Sequence, residues 1–324
     1  MRLLVLGGTQ FVGRAIVQDA VARGWDVTAL NRGVTAALPH GVEALTVDRT
    51  DAQALAEALQ GREFDLAVDT WSGAPMVVQS AARLLSARRF CYVSSISVYV
   101  DGRPVGGDET WTVHDADPSA DVTEYGADKR GGELAALESF PDAVLARCGL
   151  ILGPWENVGR LPWWLDRASR GGRMVAPGRP EAPVQWVDVR DLAAWVNDAL
   201  ISDVTGPVDL TCPADHTTWG EVLEAVVDAT GRQAELVWCD QETVLASGAE
   251  PWTQLPIWVP EGGEWTGFMD GDTSAAVRTG LRSRPIRDTA TDTWAWIGEE
   301  GMPTPPAHRP QPGLPETLET ALLA

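Results

Sequence analysis

The sequence predicts an α/β protein built on a doubly wound parallel sheet, with a smaller, mostly C-terminal lobe. Three observations carry that reading. Short β-branched or leucine-rich runs alternate with helix-period segments over the first 150 residues, and a glycine cluster stands where the first run meets the first helical pattern. Beyond Gly149 the alternation loosens into sequence rich in Gly, Pro and Trp. Strands alternating with amphipathic helices are the mark of βαβ units, whose parallel strands are covered on both faces.

In chain order, strands are expected at 3–6, 27–30, 44–47, 66–68, 90–93 and 143–148, with helices at 11–22, 52–59, 77–85 and 122–139 between them. The crowding of Gly, Pro and Trp over 153–183 reads as a first excursion into the second lobe. A strand at 184–187, a helix at 189–201 and a strand at 208–210 return to the alternating pattern. A helix at 219–230, a strand at 235–238 and helices at 273–279 and 286–297 follow. Residues 248–268 combine Gly248, Gly262, Gly263 and Gly267 with Pro251, Pro256 and Pro260, so an irregular segment able to act as a lid is expected there. A proline-rich tail at 303–312 leads to a short final helix, and no internal repeat is present.

With 324 residues, 44% of them hydrophobic, the chain can bury a large core. Its apolar runs are strand-sized, far short of the roughly 20 residues a bilayer requires, and no secretory leader is read at the N-terminus. Cys91, Cys148, Cys212 and Cys239 are widely spaced, with neither a CxxC pair nor histidines to complete a zinc site. They read as reduced thiols of a cytoplasmic protein that holds no metal. A formal charge of −21 repels a phosphate backbone, which argues against nucleic acid as a partner and leaves a small molecule.

The glycine cluster is Gly7-Gly8-Thr9-Gln10-Phe11-Val12-Gly13. At a strand-to-helix turn, glycine lets the backbone approach a pyrophosphate while the helix offers free N–H groups and a partial positive charge, so a dinucleotide site is expected here. The second strand ends in Asn31-Arg32-Gly33, with no carboxylate for a ribose 2′-hydroxyl and an arginine for a 2′-phosphate. NADP(H) is therefore expected, with NAD(H) as the alternative cofactor. Asp48-Arg49 follows the third strand, where a carboxylate can hold an adenine amino group, and Thr70 follows the fourth. On this basis residues 1–154 and 184–211 form the dinucleotide-binding domain, and 155–183 with 212–324 the substrate lobe.

Tyr125 and Lys129 are four residues apart on one predicted helix face. A phenol has a pKa near ~10, and an adjacent ammonium stabilises its phenolate, which suits a general acid. Ser95 lies at the end of the fifth strand, where doubly wound sheets place their ligands, and it can orient a substrate oxygen beside Tyr125. Gly126, Gly131 and Gly132 cost the same helix roughly 1 kcal/mol each relative to alanine, which points to close packing.

The glycine turn, YVSSISVY, YGADK and QWVDVRDLA, in that order over residues 1–300, resemble the extended and atypical short-chain dehydrogenases related to nucleotide-sugar epimerases and dehydratases. The resemblance implies a Rossmann fold, Ser95, Tyr125 and Lys129 as the catalytic set, and Thr9, Gln10, Phe11 and Val12 along the pyrophosphate. It also implies Asp48 and Arg49 near the adenine, and a homodimer, since this family's catalytic helix often lies at a dimer interface. Three departures stand out. Gln10 replaces the usual middle glycine, Ile96 and Ser97 replace the acidic pair of the 4,6-dehydratases, and Val100 replaces the glycine after the VY pair.

The expected reaction is carbonyl reduction with NADPH, as in a tailoring ketoreductase of secondary metabolism such as antibiotic biosynthesis. A nucleotide-sugar epimerase or dehydrogenase is the alternative, and a non-catalytic RNA-binding relative the alternative of another class. Twelve of the fifteen tryptophans lie beyond residue 150. Trp155, Trp163, Trp164, Trp186, Trp252, Trp258 and Trp265 suggest a medium-sized, partly aromatic substrate, while Trp195 and Trp238 read as core. Arg147, Arg160, Gln185 and Arg282 are candidates for its polar contacts.

Overall fold

A computed structural model describes residues 1–306 and 311–324. The first part of the chain runs β1 (Arg2–Leu6), α1 (Phe11–Ala22), β2 (Asp26–Asn31), β3 (Glu43–Thr46), α2 (Ala52–Leu59), β4 (Phe64–Asp69) and α3 (Pro75–Leu84). It continues through β5 (Ala87–Ser95), a 3-10 turn at Ile96–Val98, α4 (Tyr125–Ser139), β6 (Val144–Cys148), β7 (Leu150–Leu152), α5 (Arg160–Ser169) and β8 (Gly172–Pro177). Then come β9 (Trp186–Asp188), α6 (Val189–Leu200), β10 (Gly206–Leu210), α7 (Trp219–Ala229), β11 (Ala234–Cys239), α8 (Gln241–Ala246), α9 (Ser274–Arg278), α10 (Ile286–Glu300) and α11 (Glu316–Leu322).

Seven strands form one parallel sheet in the order β3-β2-β1-β4-β5-β6-β10. Alternate residues of β1 serve opposite faces. Leu3 and Val5 join the core beneath α1 and α6 with Ile16, Trp195 and Val196. Leu4 and Leu6 join the core beneath α2, α3 and α4 with Leu55, Val78 and Ala135. Because the chain leaves β1 in one direction through β2 and β3 and then returns to β4 on its other side, the order reverses between β1 and β4. That reversal opens a crevice at the carboxyl ends of the strands, the place where such sheets take their ligands.

A separate core holds the rest. It gathers Trp164, Trp186, Trp219 and Trp258 around α5, α7, α10 and the two-stranded β8–β11 sheet. Trp164 meets Trp219 edge-to-face at 5.4 Å. Each buried indole of this set that donates a hydrogen bond finds an oxygen: Trp164 Nε1 that of Pro256 at 2.6 Å, Trp186 that of Thr217 at 3.1 Å, Trp219 that of Pro177 at 2.9 Å. Aromatic burial with a satisfied N–H supplies large area at little polar cost. The segment around α9 returns to the sheet, where Ala276 and Leu281 pack in the core under α6.

Several expectations need correction. Residues 153–183 are not irregular throughout, since α5 places Leu161, Trp164, Leu165 and Ala168 on one buried face. The catalytic-helix segment begins at Tyr125, not at 122, because the Asp128 carboxylate accepts from Thr123 N and Oγ1 and holds that residue outside the helix. Trp258, expected on an irregular segment away from any core, is 4% exposed, and Trp164 and Trp186 are fully covered. Trp195 is buried as expected, whereas Trp238, on β11, is 37% exposed. Of the proline-rich tail, residues 307–310 lie outside the described residues. No helix among the described residues is long and apolar enough to cross a membrane.

Candidate active site

The glycine turn leaves β1 and enters α1 with almost no spare room. Gly7 has φ +104°, and a Cβ there would fall on the Thr70 hydroxyl. A Cβ on Gly13 would fall on the Gly7 carbonyl oxygen, so both glycines are required for the helix start to sit against the loop. Thr70 is fixed by donating from Oγ1 to the Leu6 carbonyl at 3.0 Å. Phe11 takes a positive φ of 32°, a strained value for a side-chain-bearing residue, at the first position of α1. Gln10 caps α1 in an extended conformation without a side-chain bond. The first-turn amides of Phe11, Val12 and Gly13 lack intrahelical acceptors, as at any helix start, and Thr9, two residues before α1, is buried. A glycine turn packed this tightly against a helix start with open backbone amides suits a dinucleotide pyrophosphate.

At the next strand end, Asn31 Oδ1 accepts from Gly33 N at 2.8 Å and shapes a turn that leaves Arg32 exposed. Asp48 is exposed nearby. Hydrogen bonds from the Thr50 amide and hydroxyl, with the added attraction of Arg32, hold its carboxyl below the usual range. Arg49 behaves differently from its expected place at the adenine. Its guanidinium is turned inward, 7% exposed, and grips the fully buried Asp69 fork-on-fork at 2.6 and 2.5 Å. It also lies over the Trp71 ring at 5.1 Å.

Ser95 closes β5, Lys129 bonds to β5, and Tyr125 opens the helix that packs against the turn after it. Ser95 Oγ accepts from Ser97 N at 3.1 Å and donates to Ser97 Oγ at 3.1 Å. Tyr125 opens α4 and is 46% exposed, whereas Lys129, one turn on, is 3% exposed. The Lys129 ammonium donates to the carbonyls of Val93 and Trp71, each at 2.7 Å, and lies 4.9 Å from the centre of the Tyr92 ring. The α4 glycines make this approach possible. A Cβ on Gly126 would strike the Ser97 carbonyl, one on Gly131 the Pro75 ring, and one on Gly132 the Tyr92 hydroxyl.

Sequence reasoning missed the buried polar network behind this site. Glu133, fully covered, accepts from Ser94 Oγ at 2.7 Å, from Arg130 at 2.9 Å and from Arg147 at 2.8 and 2.9 Å. Arg147 also donates to Tyr99 Oη at 2.9 Å, and Tyr99 donates to Asp209 at 2.7 Å, which Arg103 contacts in turn at 2.5 Å. Burial, and then the Asp209 charge, push the Tyr99 phenol far above its ordinary value. Arg147 therefore braces the fold and is not available as a substrate contact. Gln185, 4% exposed, is likewise engaged with the Cys212 and Gly271 backbones. Arg160 stands over Trp252 at 4.9 Å, and Arg282 is exposed. A signal for the network existed: Tyr125, Lys129 and Glu133 recur every four residues along one helix face.

A parallel sheet with a switch-point crevice, a glycine turn into α1 and a Tyr-x-x-x-Lys helix beside a serine-bearing strand end define a nicotinamide-dependent oxidoreductase scaffold. Comparison with known proteins agrees. The model of the NAD dependent epimerase/dehydratase family matches residues 3–75 and 69–206. The chain belongs to that family and is an NAD(P)-dependent oxidoreductase. It is 27% identical over 312 residues to the 2'-dehydrokanamycin reductase of Streptomyces kanamyceticus, covering 93% of this chain and 86% of that one. It is 25% identical to the dTDP-6-deoxy-L-talose 4-dehydrogenase (NAD(P)(+)) of Kitasatospora kifunensis, covering 80% and 88%. The fold also matches the Bordetella bronchiseptica enzyme WbmG in complex with NAD and UDP, with a TM-score of 0.65, 20% identity and coverage of 96% and 99%.

Proposed function

We propose that the chain reduces a ketone on a medium-sized metabolite of secondary metabolism, with NADPH as the reductant. The observation that carries this reading is the Lys129 ammonium, buried between two carbonyls one helical turn below the exposed Tyr125. In this reading Ser95 donates a hydrogen bond to the ketone oxygen and Tyr125 gives it a proton as the carbon is reduced. Lys129 stabilises the phenolate left behind. The cofactor supplies the hydride when bound. Gly7, Gly13 and the α1 start hold its pyrophosphate, Thr70 buttresses that turn, Asp48 meets the adenine, and Arg32 with Asn31 takes the 2′-phosphate.

Support for a medium-sized ketone comes from the similarity to a 2'-dehydrokanamycin reductase. An aromatic component is supported by Trp155, Trp163, Trp252 and Trp265, which stay partly exposed while Trp164, Trp186 and Trp258 are core. Trp155 lies against the Arg14 guanidinium at 5.1 Å, beside the first turn of α1 and so beside the crevice. A nucleotide-sugar substrate is the second reading, favoured by the similarity to a dTDP-sugar dehydrogenase. A screen of NADPH oxidation with polycyclic ketones and aminocyclitol ketones against nucleotide sugars tests the proposal. Turnover with the ketones is expected, and turnover confined to nucleotide sugars overturns the substrate class.

A further inference from the structure

Trp71 has every polar group engaged, and its partners lie on three different elements. Its amide donates to Asp69 Oδ1 at 2.8 Å, and its indole N–H donates to the Ala74 carbonyl at 3.1 Å. Its own carbonyl accepts from Tyr92 Oη at 3.0 Å and from Lys129 Nζ at 2.7 Å. The Arg49 guanidinium covers one face of the ring while gripping the same Asp69 carboxylate that holds the Trp71 amide. An unbroken chain of contacts thus runs from Arg49, three residues past β3, through the end of β4, to the ammonium on α4.

We infer that Arg49, Asp69 and Trp71 are positioning residues that hold the Trp71 carbonyl where it fixes the Lys129 ammonium beneath Tyr125. This inference rests on the proposed role of Tyr125 and Lys129. A carbonyl oxygen sets the place of an ammonium only if its residue cannot move, and here Trp71 is clamped one peptide before that carbonyl, at its own N–H, by a buried carboxylate. That carboxylate is in turn held by a fork whose planar geometry tolerates little rotation. Tyr92 on β5 and Cys148 on β6 also feel the ammonium; the titratable groups on α4 itself include Asp128, bonded to Thr123, and Glu133, bonded to Arg147, and His114 lies against Gly126. Of these, Tyr92 bonds to the Trp71 carbonyl.

The sequence offers an unusually direct readout, because it contains three tyrosines. Tyr92 and Tyr99 are buried with phenols pushed well up, by burial and then by the charges of Asp69 and Asp209 respectively, so phenolate absorbance in the accessible range reports Tyr125. The experiment is an ultraviolet pH titration of the whole protein. Tyr125→Phe assigns the step by removing it, and Lys129→Met sets the ceiling, near the free phenol value of about 10. The test variant is Arg49→Met with Asp69→Leu, which removes the pair without changing net charge. Replacing a buried ion pair with apolar residues of similar volume is often neutral or stabilising.

The expected result is an upward move of the Tyr125 step, on the order of one pH unit toward the Lys129→Met ceiling. A step that stays in place, or moves down, overturns the inference. If the double variant does not fold, Trp71→Phe takes its place, since it removes the indole bond to Ala74 and weakens the contact with Arg49. A smaller upward move is then expected, and no move overturns. The titration needs no substrate. A moving step without ketone reduction sinks the proposed reaction alone, and ketone reduction with an unmoved step sinks the positioning role alone.

Discussion

The sheet and the tryptophan-rich lobe solve the problem of stability in opposite ways. In the sheet, short aliphatic side chains alternate between two faces, as Leu3 and Val5 against Leu4 and Leu6 show, and no single residue dominates. In the lobe, four large indoles form the centre of a core whose strands pair only two at a time. The first arrangement writes its periodicity into the sequence and leaves a crevice at the strand ends that glycine can line. The second depends on where individual large side chains find oxygen partners, as Trp164 does at Pro256. Chemistry is therefore expected to reside at the carboxyl ends of the central strands, with the lobe shaping access to it.

The largest effect that could break this division is on catalysis. Tyr125→Phe should lower turnover of any reduced ketone by about 10² to 10⁴ while leaving NADPH affinity nearly unchanged, the range for loss of a general acid. Steady-state rates with a fluorescence titration of the cofactor check both halves of that statement. Next in size is a stability contrast within the lobe. Trp164→Ala should cost about 3–5 kcal/mol, since it empties the centre of the core. Trp238→Ala, at a half-exposed position, should stay within about 1 kcal/mol. Urea unfolding of the two variants side by side measures the difference, and equal losses would contradict the role given to Trp164.

A smaller effect is expected at the second strand end. Arg32→Ala should weaken NADPH about tenfold, as the loss of one charge-assisted contact does, and leave NADH almost unchanged. Direct titration with both reduced cofactors decides it, and equal weakening of the two would remove Arg32 from the 2′-phosphate.

The smallest effect concerns pH. Glu156 is fully buried ahead of α5, and burial pushes its carboxyl up to about 7, against the opposing pull of Arg160 and the backbone amides of Arg160 and Leu161. A carboxyl whose folded-state value lies above its unfolded value binds more protons when folded, so its contribution to stability is greatest at low pH and declines as pH rises through about 7. Melting temperature should fall by a few degrees between mildly acidic and mildly alkaline buffer, and Glu156→Gln should flatten that slope.

Much of the sheet was legible because its strands repeat a local pattern, and the glycine turn because only glycine fits between Thr70 and the α1 start. The α4 glycines announced close packing and deliver it against Ser97, Pro75 and Tyr92. Other features depend on partners far away in sequence. Arg147 looked like a substrate contact because nothing near it in the chain shows that Glu133, on another element, claims its Nε and Nη2 while Tyr99 takes Nη1. Arg49 looked like an adenine contact for the same reason, its partner Asp69 being 20 residues on. The tryptophans misled in a different way. Proline and glycine around Trp258 suggested an irregular surface segment, yet irregular backbone can still deliver an indole into a core when the turns are satisfied elsewhere.

Whether the crevice at the strands' carboxyl ends reduces a ketone, which then leaves as an alcohol, is decided by following the hydride. NADPH carrying deuterium at both C4 positions would be incubated with the ketone and nucleotide-sugar panel, and the products analysed by mass spectrometry. The account predicts one deuterium on the carbinol carbon of a released alcohol for each NADPH consumed. A substrate epimer formed without net consumption of NADPH, or an alcohol free of deuterium, would contradict it.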